Sequence, residues 1–218
     1  MCAKKFEKTY ALYMRMFWKK RYELEKSVGN SKSLLDVGCG SNSPIRGFSN
    51  RLHSVGVDSF APSIERSRAA GIHAEYRLCD VLDIDKEFEA QSFDCVLSLE
   101  VIEHLDADQG YLLLKNMEHI ARKRVIVFTP NGFLPQDEYD GNPGQIHKSG
   151  WEVDQMEQFG YNVIGINGLK CLRGDRAKIC WRPKWFWRIV SDFSQFYVRS
   201  HPQKAFQILC VKELINES

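Results

Sequence analysis

The run Leu34-Leu35-Asp36-Val37-Gly38-Cys39-Gly40-Ser41-Asn42 constrains this chain more than any other stretch. Apolar residues lead into a carboxylate and then into two glycines one residue apart. That pattern reads as a buried strand running into a tight turn. Gly38 and Gly40 accept left-handed backbone angles and let a bulky ligand approach the main chain. Ser43 and Pro44 follow as an N-cap and a first helical residue. A strand, a glycine turn and a helix start make a nucleotide-type ligand site.

With 218 residues, one domain with a substantial core is the expected size class. Hydrophobic and charged fractions of 44% and 27% are ordinary for a globular chain, which excludes wholesale disorder. A net charge of +2 argues against a nucleic-acid partner. The seven cysteines are scattered without a CxxC pair, which suits reduced thiols in a cytoplasmic protein. No apolar run is long enough to span a membrane, and charges sit where a signal peptide needs apolar residues. Peripheral membrane contact stays open.

Alternating elements follow along the chain. Phe6, Tyr10, Tyr13, Met14, Phe17, Trp18 and Tyr22 recur at helical spacing over 4–27, and Gly29-Asn30 stops that helix. Strands are expected at 53–58, 74–79, 93–99 and 124–129, with helices at 61–70 and 108–121 between them. This alternation predicts a parallel sheet with helices on both faces. Residues 129–150 are rich in Pro, Gly, Asn and Asp and read as a long functional loop. A short helix at 151–159 and strands at 161–167 and 205–211 follow, the two strands forming an antiparallel hairpin at one sheet edge. Between them lies an aromatic and basic insertion, residues 169–203, that has several readings. It can stack on a sugar, grip a lipid surface, bury a dimer contact, or form an extra helix whose aromatics are core.

Asp58 ends the second strand, twenty residues after Gly38, where a carboxylate accepts both hydroxyls of a ribose. Asp80 follows the third strand and can bond the amino group of an adenine ring. Helix capping or turn formation is the plainer role for either acid. Asn42 stands where GxGxxG needs its third glycine, so a ligand without a pyrophosphate fits better, and a nicotinamide dehydrogenase is disfavoured. Glu100-Val101-Ile102-Glu103-His104 begins where the fourth strand ends. On a helix, Glu100, Glu103 and His104 share one face and can hold a hard or borderline divalent cation such as Mg, Mn or Zn. His147, in the long loop, is a candidate fourth ligand. Surface pairing of Glu103 and packing of His104 is the blander alternative. Arg173 and Arg176 flank Gly174-Asp175 and are weak candidates for an anionic acceptor.

Together, Leu34 to Asn42, Val57-Asp58, Cys79-Asp80 and Phe93 to Glu100 resemble the class I S-adenosylmethionine-dependent methyltransferases. The resemblance covers roughly residues 30–168 and the last strand. It implies an α/β Rossmann-like fold: a seven-stranded, mostly parallel sheet, an antiparallel last strand and helices on both faces. It implies a methyltransferase domain over 31–168 and 204–218, with residues 1–30 as a helix capping the cofactor site. It places the methionine part of S-adenosylmethionine at Asp36, Gly38 and Gly40, the ribose at Asp58 and the adenine near Asp80. Cys39, Ser59, Val81 and Leu99 complete the expected cofactor residues.

The ExxEH sequence, a following strand, Thr129-Pro130-Asn131 and a loop histidine are similar to ubiquinone-pathway O-methyltransferases and small-RNA 2'-O-methyltransferases. That similarity implies a metal at Glu100, Glu103, His104 and His147, partial because this loop has one histidine. Without metal, His104 or His147 is the expected general base, with Glu103 beside them. The expected activity is O-methylation of a small-molecule, glycan or lipid-linked acceptor. The alternatives are an RNA 2'-O-methyltransferase and a non-catalytic S-adenosylmethionine-binding protein. Methylation of an exocyclic base amine is disfavoured, because Leu99-Glu100-Val101-Ile102 replaces the (Asn/Asp)-Pro-Pro-(Tyr/Phe) turn such enzymes carry.

Overall fold

The computed structural model describes residues 19–136, 143–174 and 177–214. The part of the predicted N-terminal helix before Lys19, including Tyr10, Tyr13 and Arg15 as candidates to touch the cofactor, lies outside the described residues, as do Tyr139 to Asn142, Asp175 and Arg176.

Seven strands form one sheet in the order β3-β2-β1-β4-β5-β7-β6. They are β1 (Ser33–Val37), β2 (His53–Asp58), β3 (Glu75–Leu78), β4 (Phe93–Leu99), β5 (Ala121–Pro130), β6 (Asn162–Leu169) and β7 (Ala205–Glu213). The first five pair in parallel, and β7 runs antiparallel to both β5 and β6. The predicted late hairpin therefore exists, but β6 takes the edge and β7 is inserted beside β5. From β1 the chain builds outward to β3, then crosses back to place β4 on the other side of β1. Ligands bind at the carboxyl ends of strands at such a reversal.

Among the described residues six helices flank the sheet: α1 (Lys19–Val28), α2 (Ala61–Ala69), α3 (Ile84–Glu87), α4 (Ala107–Ile120), α5 (Val153–Gln158) and α6 (Lys184–Val198). Side chains alternate between two cores, as the two-residue period of a strand requires. Leu35, Val37, Val96, Val125 and Val127 face Leu113, Met117 and Ile120 of α4 and Met156 of α5. Leu34, Leu97, Ile126 and Phe128 face Leu24 and Val28 of α1 together with Ile45 and Phe48. Burial on both faces is why these strands read as unbroken apolar runs. Among the described residues no helix is long and apolar enough to cross a membrane.

Two local features differ from expectation. After the glycine turn the chain makes two short 3-10 turns, Pro44–Gly47 and Ser49–Arg51, instead of an α-helix. Ser43 does cap the first, its Oγ accepting from Ile45 N at 3.5 Å. The insertion does contain a helix, α6, but its aromatics are not core. Ser191, Gln195 and Val198 are its buried residues, while Trp185, Phe186, Ile189, Phe193, Phe196 and Tyr197 are exposed. Gln195 bridges the Gly165 carbonyl (2.8 Å) and the Gly168 amide (3.3 Å), and Ser194 Oγ accepts from Leu169 N at 3.0 Å. A Cβ on Gly165 would stand 2.0 Å from the Val198 carbonyl, so the bare backbone of β6 admits the polar face of α6.

Candidate active site

A cavity of roughly 760 Å³ opens at the carboxyl ends of the strands. Asp36, Gly38, Cys39, Gly40, Asp58, Ser59, Asp80, Val81 and Leu99 all line it, and so do Glu100, Glu103, His104 and His147. Every residue singled out from the sequence as cofactor-binding or metal-ligating thus reaches one space.

The glycine turn forms its floor. Gly38 and Gly40 have φ of +71° and +57°. A Cβ on Gly38 would lie 2.4 Å from Val101 Cγ2, so the turn after β4 packs directly on the turn after β1. Asp58 braces this floor: its carboxylate accepts from Gly40 N at 2.9 Å and from Phe60 N at 2.8 Å. Asp80 caps a 3-10 turn, one oxygen accepting from Leu82 N at 2.9 Å. Its other oxygen has no protein donor among the described residues. Asp36 is buried and pairs with His73, Oδ2 to Nε2 at 2.9 Å. Burial, followed by the Asp36 and Asp58 carboxylates, pushes the Cys39 thiol well above its usual range, so it stays protonated and packs as an apolar side chain.

At the other end of the cavity Glu103, His104 and His147 converge. One ligand atom from each lies within 4.8 Å of the others. Glu103 and His104 sit on a 3-10 turn, Ile102–His104, and backbone pairing carries His147 to them. Lys148 N and Ser149 N both donate to the Glu103 carbonyl, at 2.8 and 3.1 Å, and Trp151 Nε1 donates to the Ile102 carbonyl. The two imidazoles meet edge-on, centroids 4.7 Å apart. His104 Nδ1 lies 3.2 Å from the Ile146 carbonyl and His147 Nδ1 lies 2.6 Å from the Leu134 carbonyl. A carbonyl accepts only, so both Nδ1 atoms carry the proton and each Nε2 keeps its lone pair. Burial lowers both histidine pKa values. Glu103 is fully buried, accepts from Thr129 Oγ1 at 3.0 Å, and is pushed up to about 8, first by burial and then by the Glu100 charge.

Glu100 does not join this group. It takes φ of +59°, a left-handed angle that breaks the helical spacing assumed from sequence. Its oxygens go to Lys20 Nζ at 3.1 Å and Gln207 Nε2 at 2.9 Å instead. The residues whose geometry could hold a cation are therefore Glu103, His104 and His147, and Glu100 is not among them. Arg173 is also corrected as an anion ligand: its guanidinium donates to the Asn167 and Ala177 carbonyls and to Ser191 Oγ. The end of β5 and the loop after it do line the cavity, through Pro130 and then Leu134, Gln136 and Gly144. His73, Lys20, Thr129 and Gln207 were not foreseen in their site contacts. Thr129 alone carried a signal, as the last residue of the predicted fifth strand.

A family model described as a methyltransferase domain matches residues 35–129. A small RNA 2'-O-methyltransferase of Tetrahymena thermophila is 24% identical over 193 residues, 70% of this chain and 45% of that protein. A ubiquinone biosynthesis O-methyltransferase of Nitrobacter winogradskyi is 39% identical over 89 residues, 37% of this chain and 31% of that protein. The chain thus spans less than half the length of either relative. Among solved structures, a SAM-dependent methyltransferase from Archaeoglobus fulgidus shares the fold at 16% identity and a TM-score of 0.57, covering 94% of this chain and 99% of that one. With the glycine turn, the strand-end acids and the antiparallel β7 in the order the resemblance implies, residues 35–129 are matched as a methyltransferase domain within a Rossmann-like methyltransferase fold.

Proposed function

We propose that the protein transfers the methyl group of S-adenosylmethionine to a hydroxyl oxygen of its acceptor. The observation that carries this reading is that Glu103, His104 and His147 share one cavity with the glycine turn. The cofactor's methionine end would lie against Gly38, Gly40 and Asp36, its ribose against Asp58 and its adenine near Asp80, with Cys39, Ser59, Val81 and Leu99 as the surrounding wall. The sulfonium methyl then faces the histidines. The acceptor oxygen attacks the methyl carbon in line, and the carbon–sulfur bond breaks with its electron pair passing to sulfur. The acceptor proton passes to a lone-pair Nε2 of His104 or His147, both neutral near pH 7 because burial lowers their pKa values. Holding oxygen and methyl in near-attack geometry supplies much of the rate.

The donor set also fits a divalent cation. It offers a buried carboxyl, which a bound cation would hold ionised, and two neutral imidazoles, each anchored through Nδ1 to a backbone carbonyl, the usual second-sphere pattern of metal-binding histidine. Mg²⁺, Mn²⁺ or Zn²⁺ held there would supply Lewis acidity that lowers the hydroxyl pKa. Small-molecule, glycan and lipid-linked hydroxyls are the acceptors this reading favours. An RNA ribose hydroxyl is the second reading, supported by the small RNA 2'-O-methyltransferase relative aligned over 70% of this chain.

The test is calorimetric titration of S-adenosylhomocysteine, then of Mn²⁺ into the chelator-stripped, saturated protein. We expect one cofactor site and one Mn²⁺ site that His147→Ala weakens at least about tenfold. Failure to bind S-adenosylhomocysteine overturns the reading. Cofactor binding without Mn²⁺ binding removes the metal and leaves the histidines as proton acceptors. Labelled methyl transfer to catechol against a short RNA separates the two acceptor classes.

A further inference from the structure

Helix α6 is turned inside out relative to an ordinary surface helix. At about 100° per residue, Trp185, Phe186, Ile189, Phe193, Phe196 and Tyr197 fall within an arc of about 120°. Those six residues are 43–68% exposed. The opposite side, Ser191, Gln195 and Val198, is buried on β6 through the polar contacts described above. An exposed apolar face of this size, on a soluble surface, marks a contact with something apolar.

Beside this arc runs a cationic cleft of roughly 1360 Å³ under the N-terminus of α6. Arg46, Lys178, Lys184 and Arg188 line it, and none of them makes an ion pair among the described residues. Asp192 is the one carboxylate among its described lining residues. Arg21 also lines it and keeps a buried Nε with no hydrogen-bond partner among the described residues. The helix begins at Lys184 with no capping side chain and no acid in its first turn, so its free amides add positive potential to the cleft. The cleft shares Lys20, Asn42, Ser43 and Pro44 with the strand-end cavity.

We propose that α6 and this cleft form a docking surface for an anionic phospholipid bilayer. The apolar arc lies among the acyl chains just below the headgroups, and the cleft takes a headgroup phosphate. Aromatic residues on one helix face with Lys and Arg beside them are what an interfacial helix requires. A second copy of the chain is the poorer occupant. It would cover the apolar arc but leave the cationic cleft beside it without an anionic partner. RNA would use the cations but leave six exposed apolar side chains unexplained. The proposal does not depend on methyl transfer.

The test is flotation of the full chain with large unilamellar vesicles, of phosphatidylcholine alone or with about a third phosphatidylglycerol. Binding is expected on the anionic vesicles, at least about tenfold weaker on neutral ones, and falling as salt rises. Lys184→Glu with Arg188→Glu, and Ile189→Ser with Phe193→Ser, should each weaken it at least about tenfold. Both double variants change exposed residues and should melt with the parent, which separates lost docking from lost folding. Equal binding to neutral vesicles overturns the role of the cleft and with it the proposal. Absence of vesicle binding overturns it outright. A dimer dispersed by Ile189→Ser with Phe193→Ser would then name a second copy as occupant. Short-RNA binding lost in Lys184→Glu with Arg188→Glu would name a nucleic acid.

Discussion

Asp36 and His73 meet inside the protein with side chains 1% and 0% exposed, 2.9 Å apart. The far nitrogen of the ring, Nδ1, lies 3.4 Å from Ser67 Oγ, and Tyr76 OH accepts from the His73 amide at 3.0 Å. Asp36 therefore reaches the cavity from a polar network beneath the glycine turn. Removing one member of a buried pair leaves the other uncompensated, at a cost of about 3–5 kcal/mol. His73→Ala should accordingly lower the melting temperature by about 10 °C or more, read by thermal unfolding. His73→Gln, which keeps a donor, should lose less. A His73→Ala variant that melts with the parent would show that Asp36 has found another partner. Nothing in the sequence pointed to this pair, because 37 residues separate its members and His73 lies in no recognisable motif.

At the scale of elements, Asp94 fastens the starting ends of three strands. Its carboxylate accepts from Lys32 N at 2.9 Å and pairs with Arg122 and Lys123, both at 3.0 Å, while its own amide donates to Ser33 Oγ. Burial alone would raise its pKa. The Lys32 amide, Lys123 and Arg122 together outweigh that and hold the carboxyl below its usual range. A folded pKa below the unfolded value gives stability that is present above the unfolded value and is lost as pH falls through the folded one. Asp94→Asn should thus cost about 2 kcal/mol at pH 7, and the gap to the parent should close as pH falls below about 4. Urea unfolding at pH 7 and pH 3 checks this, and a gap that stays constant would count against it. Strands such as β4 were legible because burial on both faces leaves an unbroken apolar run with a definite end. The turn after β4 was not. Its helical spacing was a sound inference from Glu100, Glu103 and His104, but the positive φ at Glu100 rotates that residue away toward Lys20 and Gln207. Likewise, an extra helix in the aromatic insertion was one reading of the sequence, but which side of α6 faces the protein depends on Gly165 and Gly168 of another element.

Across the whole molecule, the cavity is assembled from segments distant in the chain. Lys20 of α1 and Gln207 of β7 both reach Glu100 at the end of β4, Asp58 of β2 holds the Gly40 amide, and Val101 packs on Gly38. A ligand filling this space bears on nearly every strand, so its binding should register as global stability. At a hundred times its dissociation constant a ligand adds about 2.7 kcal/mol. For a chain of this size that is a rise of about 5–10 °C in melting temperature on adding S-adenosylhomocysteine. Gly38→Ala should abolish most of this rise, because the new Cβ lies 2.4 Å from Val101 Cγ2 while φ is held at +71°. Val101→Ala in the same chain removes both γ-methyls and should restore part of it. The remainder is the left-handed strain of alanine, about 1–2 kcal/mol. If the double variant gains nothing over Gly38→Ala, backbone strain rather than the packing of the two turns governs the floor of the site. If it recovers fully, contact with Val101 is what requires glycine there.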